Sequence, residues 1–134
     1  MSIAADKAQQ AVHLENIGQI ALTVRDLARS KEFYQNILGM EFLFDAGTMA
    51  FFQCGTVRLM IGTSPEPVSC AGTILYFTVQ DIQGTHALLK DQGVVFLHEP
   101  HLVAKMPDHD LWMAFLKDLD GNTLGLMSEV RHSI

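Results

Sequence analysis

Alternating and helically spaced apolar positions locate the strands and helices in the first half of this chain. Residues 19–24 alternate between polar and apolar side chains, the pattern of a strand with two unlike faces. Asp26 then precedes a stretch with apolar residues at helical spacing, and Gly39 stands where a helix C-cap belongs. Three further strands are predicted at residues 40–44, 49–54 and 57–61. The predicted order of elements in the first half is therefore βαβββ.

The second half gives the same order of elements with one longer connection. A strand is predicted at residues 73–79, a helix at 81–92 with Gly93 as its cap, and a strand at 94–99. A polar segment at residues 100–110, PHLVAKMPDHD, then precedes strands at 111–116 and 123–128, which a tight DLDGN turn joins. Because a long connection often lines a site, we expect this polar segment to determine specificity.

The two halves also match residue by residue. IALTVRDLARSKEFYQNILGMEF in the first half is echoed by LYFTVQDIQGTHALLKDQGVVF in the second. Thr23 aligns with Thr78, Asp26 aligns with Asp81, and Gly39 aligns with Gly93 once one residue is deleted. A tandem repeat of this kind predicts a site between its two copies, at matching strand positions.

The length of 134 residues favours one domain, residues 1–134, because each half alone is too short to bury a good core. The first module is expected at about residues 17–62 and the second at about 72–129. Residues 62–72, GTSPEPVSCAG, contain two Gly, two Pro and two Ser, which is typical of a linker between modules, and the linker itself is expected at residues 63–71.

The amino-acid composition argues against several classes of binding partner. The net charge is −6 and the nine Lys and Arg residues form no basic stripe, so nucleic acid is not an expected partner. No apolar run is long enough to cross a bilayer, and the first residues lack a signal pattern, so a soluble cytoplasmic protein without membrane partners is expected. Cys54 and Cys70 form no CxxC motif, which predicts reduced thiols.

These residues resemble the vicinal oxygen chelate superfamily, which includes glyoxalase I, methylmalonyl-CoA epimerase, extradiol dioxygenases and bleomycin-type resistance proteins. The resemblance is carried by RDLARSKEFYQNILGMEF after the first strand, by VQDI before the second helix, and by the FLKDLDGNTLGLM ending. Together these pieces span almost all of residues 17–127. The resemblance implies an α+β fold in which two tandem βαβββ modules curl into a mixed sheet, or cup, with the helices packed outside. It also implies a homodimer.

The resemblance further implies where a metal would bind. Metal-dependent members place His or Glu on the first and last strands of each module. The corresponding positions here are Gln19, Met60, Ile74 and Gly125. A divalent cation needs imidazole nitrogen or carboxylate oxygen, and a single Gln amide is a weak ligand. We therefore expect no metal in the family site and no other cofactor.

Without a metal, the cup is expected to act as a pocket for a small organic ligand. Strand periodicity and the resemblance indicate a lining that mixes apolar walls with a few polar groups. The expected ligand-binding residues are Gln19, Thr23, Arg58, Met60, Ile74, Tyr76, Trp112, Met113, Gly125 and Met127. The alternative is a cup filled by its own side chains, with the Met residues closing it.

Histidines in and next to the polar segment are the candidates for acid and base chemistry. His98, His101 and His109 accompany Glu99 and two aspartates in that region. A spacing of three in a strand places His98 and His101 on opposite faces, so they are not expected to chelate one ion together. The catalytic candidates are Tyr76, His98, His101 and His109. The alternative is an exposed polar loop.

These observations predict a metal-free small-molecule binding protein of the glyoxalase and bleomycin-resistance type. Two alternatives remain. One is a lyase, isomerase or dioxygenase-like enzyme on the same scaffold that uses side-chain acid and base groups. The other is an off-pattern divalent metal bound through His13, Glu15 or the polar segment.

Overall fold

The computed structural model describes residues 12–66 and 72–132. Its elements follow in the order β1 (Gln19–Thr23), α1 (Leu27–Glu32), a π-helical segment (Phe33–Ile37), β2 (Glu41–Ala46), β3 (Met49–Cys54), β4 (Val57–Gly62), β5 (Leu75–Thr78), α2 (Ile82–Asp91), β6 (Val95–Lys105), β7 (His109–Lys117) and β8 (Thr123–Arg131).

The strands form two sheets of four strands each, with the same topology. The strand order is β1-β4-β3-β2 in the first sheet and β5-β8-β7-β6 in the second. The first strand of each module pairs in parallel with the last, and the remaining neighbours are antiparallel. Each module is thus βαβββ with a curled, unclosed mixed sheet. The predicted α+β fold class is confirmed.

Both helices begin at equivalent aspartates. The side chain of Asp26 accepts a hydrogen bond from the backbone N–H of Arg29, and that of Asp81 accepts one from Gly84. Each bond satisfies a backbone donor that the first turn of a helix leaves without a partner. Gly39 and Gly93, after the helices, have positive φ values of 73° and 87°, as expected for glycine next to a helix C-terminus. The repeat therefore preserves both helix boundaries.

A single cluster of buried residues unites the two modules. Its members from the first module include Leu22, Leu59 and Ile61, and those from the second include Leu116 and Leu124. Each of these side chains is at most 5% exposed. Because one apolar cluster draws on both sheets, neither module buries its core alone.

The turn before β8 ties the second module to the helix of the first. Asp118, which is buried, accepts hydrogen bonds from the Tyr34 hydroxyl at 2.9 Å and from the backbone N–H groups of Asp120 and Asn122. Asp120 in turn accepts from the Arg25 backbone N–H at 2.9 Å and from the Ser30 hydroxyl at 3.3 Å. The DLDGN sequence thus forms the predicted turn and also joins the modules.

The prediction of a polar connection over residues 100–110 is wrong. β6 continues to Lys105, β7 begins at His109, and the backbone N–H of Met106 donates to the His109 carbonyl at 2.8 Å to close a hairpin. β6 is an edge strand, so solvent reaches both of its faces and polar residues occur on each. The alternation that reveals a half-buried strand is therefore missing from its sequence.

Smaller differences concern strand ends. β5 begins at Leu75 rather than at residue 73, and β8 continues to Arg131 rather than ending at 128. Residues 67–71 of the predicted linker, including Cys70, lie outside the described residues. Among the residues that are described, no helix has the length and hydropathy needed to cross a membrane.

Candidate functional site

Each sheet has one face against the buried core and one face turned away from it, which we call the cup face. On β1 and β4, Leu22 and Leu59 belong to the core, so the alternate residues Gln19 and Met60 belong to the cup face. Their side chains meet there, with Gln19 Nε2 lying 4.0 Å from Met60 Sδ. The structure therefore brings two of the predicted site residues together.

A row of residues crosses the cup face of the second sheet, one from each strand. Tyr76 of β5 is in register with Gly125 of β8, Gly125 with Phe115 of β7, and Phe115 with His98 of β6. We call these four residues the aromatic row. Two of them, Tyr76 and Gly125, were predicted to bind ligand, and His98 was a candidate for catalysis.

Gly125 makes room for the ring of Tyr76. A Cβ atom added at Gly125 would lie 2.6 Å from Tyr76 Cδ1, closer than carbon atoms approach one another. The Tyr76 ring packs edge to face against Phe115, with centroids 5.8 Å apart and planes at 77°. Tyr76 is nevertheless 45% exposed, so a bound molecule can reach it. The row presents an accessible aromatic surface.

His98 and His101 lie on the same face of the sheet, so the prediction of opposite faces is wrong. Their ring centroids are 5.6 Å apart, and they lie 6.1 Å and 6.4 Å from the centroid of Phe115. The register of β6 against β7 shifts between the two histidines, with His98 opposite Phe115 and His101 opposite Met113. This β-bulge inserts an extra residue, which reverses the alternation beyond it. His98 consequently belongs to the aromatic row, and His101 lies next to it.

An equivalent row crosses the cup face of the first sheet. It consists of Ala21, Met60, Phe51 and Phe44, which are in register on β1, β4, β3 and β2. Phe44 and Phe51 stack with centroids 4.6 Å apart. Ala21 corresponds to Tyr76 in the repeat and Met60 corresponds to Gly125, so the large and small residues have exchanged strands.

The other predicted ligand-binding residues are distributed around these rows. Met113 and Met127 are opposite each other next to the aromatic row, and both are partly buried. Thr23 lies at the end of β1 and is partly buried, whereas Arg58 is exposed opposite Gln19. Ile74 directly precedes β5 and is 38% exposed. These positions are accessible to a ligand.

Trp112 does not belong to this set. Its side chain packs against the buried core, as its neighbour Ala114 does two residues later. The stacking role predicted for Trp112 is therefore wrong, because strand alternation turns it away from the cup face. Met113, the alternative for that role, occupies the cup face between His101 and Met127.

His109 lies apart from the aromatic row. It precedes Phe115 on β7 by six residues, which separates them by roughly 20 Å along the strand. Its Nδ1 contacts Asp108 Oδ1 at 2.8 Å, and its Nε2 lies 3.9 Å from Glu129 Oε1. Asp108 also accepts from Arg131 Nη1 at 2.7 Å. His109 thus belongs to a polar cluster at the hairpin end, and its prediction as a catalytic residue of the cup receives no support from this position.

Three aromatic residues of the cup face were not predicted from the sequence: Phe44, Phe51 and Phe115. Phe115 could have been found, because it is two residues after Met113 in a predicted strand. The bulge also has a sequence signal. Pro100 directly follows the strand predicted at residues 94–99 and lies between His98 and His101, and proline within sheets is confined to edges, first positions and bulges.

The residues at the family metal positions do not fit a divalent cation. Gln19, Met60, Ile74 and Gly125 supply one amide, one thioether and no carboxylate or imidazole. In the part of the chain that the structure describes, no three His, Cys, Asp or Glu side chains are grouped so that they could hold a metal ion. His98 and His101 thus form a pair, and the described residues place no third ligand of these types beside them.

Two apolar cavities lie between the modules. One of about 540 Å³ is bounded by α2, the end of the first helix and the core side of the second sheet. The other, of about 630 Å³, separates β1 and β4 from β5 and reaches Ile74 and Tyr76. Cys54 borders both, and burial raises the pKa of its thiol, because a low-dielectric environment disfavours the thiolate.

Comparisons with known proteins agree with this geometry. Residues 16–126 match the model of the Glyoxalase/Bleomycin resistance protein/Dioxygenase superfamily. Metallothiol transferase FosB of Staphylococcus epidermidis is 27% identical over 119 residues, which cover 84% of this chain and 83% of that protein.

Two solved structures illustrate the similarity of fold. The fosfomycin resistance protein FosX of Listeria monocytogenes superposes with a TM-score of 0.72 at 18% identity, over 87% of this chain and 94% of that one. Lactoylglutathione lyase of Agrobacterium tumefaciens gives a TM-score of 0.71 at 18% identity, over 87% and 95%. At such low identity these structures show the shared fold alone.

Proposed function

Because this chain belongs to the Glyoxalase/Bleomycin resistance protein/Dioxygenase superfamily, we propose that it is a member that binds a small aromatic molecule on the cup face without a metal. The single observation that carries this proposal is the aromatic row. At Gly125, the position of a family metal ligand, the chain has no side chain at all, and the ring of Tyr76 fills the space. An aromatic surface thus replaces an ion-binding group.

The chemistry of the cup face suits such a ligand. Aromatic rings and methionines supply a polarisable, adaptable surface, and Gln19 and Arg58 supply hydrogen-bond donors at its edge. Small-molecule sites combine apolar walls with a few polar groups in this way. The ligand is therefore held by stacking and is oriented by hydrogen bonds.

A second copy of the chain completes the site in this proposal. Ile74 and Tyr76 are 38% and 45% exposed on the cup face, and the edge strands β5 and β6 leave it open. Ligand sites usually bury most of the ligand surface, which an open sheet cannot do. A homodimer that brings two cup faces together supplies the missing wall.

A second candidate function is metal-free acid and base catalysis, such as a lyase or isomerase reaction. One observation favours it. The bulge in β6 places His98 and His101 beside Phe115, so a ring bound next to Phe115 lies near two imidazoles that can accept or donate protons. Binding remains the first candidate because it requires only affinity from these residues.

Native mass spectrometry of protein made without a chelating tag tests the binding proposal, together with elemental analysis. We expect a dimer that retains or takes up aromatic compounds and contains no stoichiometric transition metal. Tyr76→Ala should weaken uptake at least several-fold, whereas Leu88→Ala, at an exposed position on α2, should not change it. A stoichiometric metal, or uptake unchanged by Tyr76→Ala, would contradict the proposal.

Turnover separates the two candidates. If the protein is an enzyme, the wild type converts a compound that it binds to a product. The double variant His98→Phe/His101→Phe should then still bind the compound but no longer convert it. If the protein is a binder, the compound is recovered unchanged from the wild type.

A further inference from the structure

We propose that the ligand is a planar aromatic molecule with a hydroxyl group, and that His101 recognises this hydroxyl as a hydrogen-bond acceptor. The inference rests on the proposed function, since it names the class of compound that binds beside the aromatic row. It is carried by the bulge in β6 and by the hydrogen bond that His101 makes with its own strand.

The bulge in β6 places the side chains of both histidines on the face where the ligand is proposed to bind. Without the register shift between His98 and His101, a spacing of three residues would turn one of them to the opposite face. With the shift, both rings adjoin Phe115 at centroid distances of 6.1 Å and 6.4 Å. An aromatic molecule bound against Phe115 therefore lies within hydrogen-bonding reach of an imidazole.

The backbone fixes the tautomer of neutral His101. Its Nδ1 lies 3.3 Å from the carbonyl oxygen of Glu99. A carbonyl oxygen can only accept a hydrogen bond, so Nδ1 must carry the proton. In a neutral imidazole the other nitrogen, Nε2, then has a lone pair and acts as an acceptor. Within the described chain, no group bonds to Nε2 of His101.

An acceptor of this kind selects a ligand that can donate. A phenolic hydroxyl meets the requirement, because it donates one hydrogen bond and is attached to a ring that stacks on apolar and aromatic side chains. Tyr76, Phe115 and Met113 supply that surface next to His101. An aryl methyl ether has the same ring but no donor, and a carboxylate offers only acceptors.

Three probes of one ring system test the inference: 2-naphthol, 2-methoxynaphthalene and 2-naphthoate, each titrated calorimetrically into the full-length protein. We expect the wild type to prefer 2-naphthol over the ether by about five-fold, the value of one hydrogen bond. It should also bind 2-naphthol more tightly than the carboxylate.

Variants at His101 test whether this residue causes the preference for 2-naphthol over the ether. His101→Phe retains an aromatic ring but has no acceptor, so 2-naphthol and the ether should bind equally. His101→Gln keeps an amide oxygen and should keep part of the preference, which guards against a Phe variant that folds poorly. His86→Phe is the matched control, because His86 packs against Phe96 at 4.5 Å on the helix side of the sheet. It should behave as the wild type does.

The remaining outcomes distinguish a failure of hydroxyl recognition by His101 from a failure of the proposed function. If the wild type binds all three probes alike, or if His101→Phe keeps the preference for 2-naphthol, hydroxyl recognition by His101 is overturned and aromatic binding stands. Tighter binding of the carboxylate also overturns it. If none of the three probes binds, the proposed function fails with it.

Discussion

The hydroxyl of Tyr34, in the helical segment of the first module, donates a hydrogen bond of 2.9 Å to Asp118 Oδ2 in the last turn of the second. Both residues are buried, at 0% and 7% exposure. The same carboxylate accepts from the backbone N–H groups of Asp120 and Asn122 and from the Asn122 side chain. A charged group is thus buried where the two modules meet, and its hydrogen bonds compensate the cost of removing it from water.

Tyr34→Phe removes one of these donors. Since hydrogen bonds to charged groups are stronger than neutral ones, the free energy of unfolding should fall by about 1.5–3 kcal/mol, measured by urea denaturation. Tyr76→Phe is the matched control, because Tyr76 is 45% exposed, and it should change the same quantity by less than about 0.5 kcal/mol. Equal effects in the two variants would show that the bond to Asp118 does not stabilise the contact between modules.

Gly125→Ala should disturb the aromatic row. The new methyl group would overlap the ring of Tyr76, so the ring must move away from Phe115. Overpacking of this kind costs about 1–3 kcal/mol of unfolding free energy. In a Tyr76→Ala background the same change should cost much less, and a double-mutant cycle of denaturant midpoints measures the difference.

Gly18→Ala is the control for the glycine substitution. Among the residues that the structure describes, and apart from its own chain neighbours, no atom lies within 4 Å of a Cβ built at Gly18, so the methyl group should be tolerated there. Additive effects in the cycle would mean that Tyr76 does not occupy the space above Gly125.

Cys54 should react slowly with thiol reagents. Burial raises the pKa of its thiol, so less thiolate, the nucleophilic form, is present near pH 8 than in an exposed cysteine. Rates with a disulfide reagent should be measured in a Cys70→Ser variant, so that only Cys54 reports. The rate should be below that of a cysteine peptide and should rise only at more alkaline pH. Reaction at the peptide's rate at pH 8 would contradict the assigned burial.

The sign of the Cys54 effect on stability follows from the same shift. A folded-state pKa above the unfolded value stabilises the fold below the unfolded pKa, and this contribution is lost as pH rises through the folded pKa. Unfolding free energy should thus decline at alkaline pH, and Cys54→Ala should reduce that decline. Urea denaturation at increasing pH in the Cys70→Ser background measures both, and an unchanged slope would argue against a role for Cys54.

Asp108 should make the hairpin end sensitive to acid. The hydrogen bond from His109 holds the pKa of the Asp108 carboxyl below its usual range, with further contributions from the charges of His109 and Arg131. A lowered folded-state pKa stabilises the fold above the unfolded pKa, about 3.9 for Asp, and the contribution is lost as pH falls through the folded value. Carboxyl carbon NMR should show Asp108 titrating below the ordinary range of an aspartate.

The companion variant is Asp108→Asn. Wild type and variant should differ in denaturant midpoint at neutral pH, and the two curves should converge as pH falls below about 4, where the carboxylate is protonated. A difference that persists unchanged in acid would indicate that the carboxylate charge is not responsible.

The sequence was sufficient to predict the repeat, the helix boundaries and the fold class. The reason is physical, since Asp26, Asp81, Gly39 and Gly93 act through local backbone geometry that a short stretch of sequence specifies. Gln19 and Met60 lie on the same face of the first sheet because residues alternate between the two faces along β1 and β4.

The position of the histidines could not be predicted by alternation. β6 is exposed on both sides, so hydrophobic periodicity did not reveal its length, and its bulges change which face each residue occupies. Trp112 was misplaced for a related reason. β7 has apolar residues on both faces, so its sequence shows no polar–apolar alternation, and only tertiary packing identifies which face meets the core.

The exchange of large and small residues between the two rows bears on how the duplicated halves diverged. Met60 beside Ala21 in one module and Tyr76 beside Gly125 in the other combine one bulky and one small residue on neighbouring strands. In the second module a larger residue at position 125 would collide with the ring of Tyr76, so these two positions constrain each other. A protein built from two copies of the first module would therefore have no tyrosine or histidine in either row.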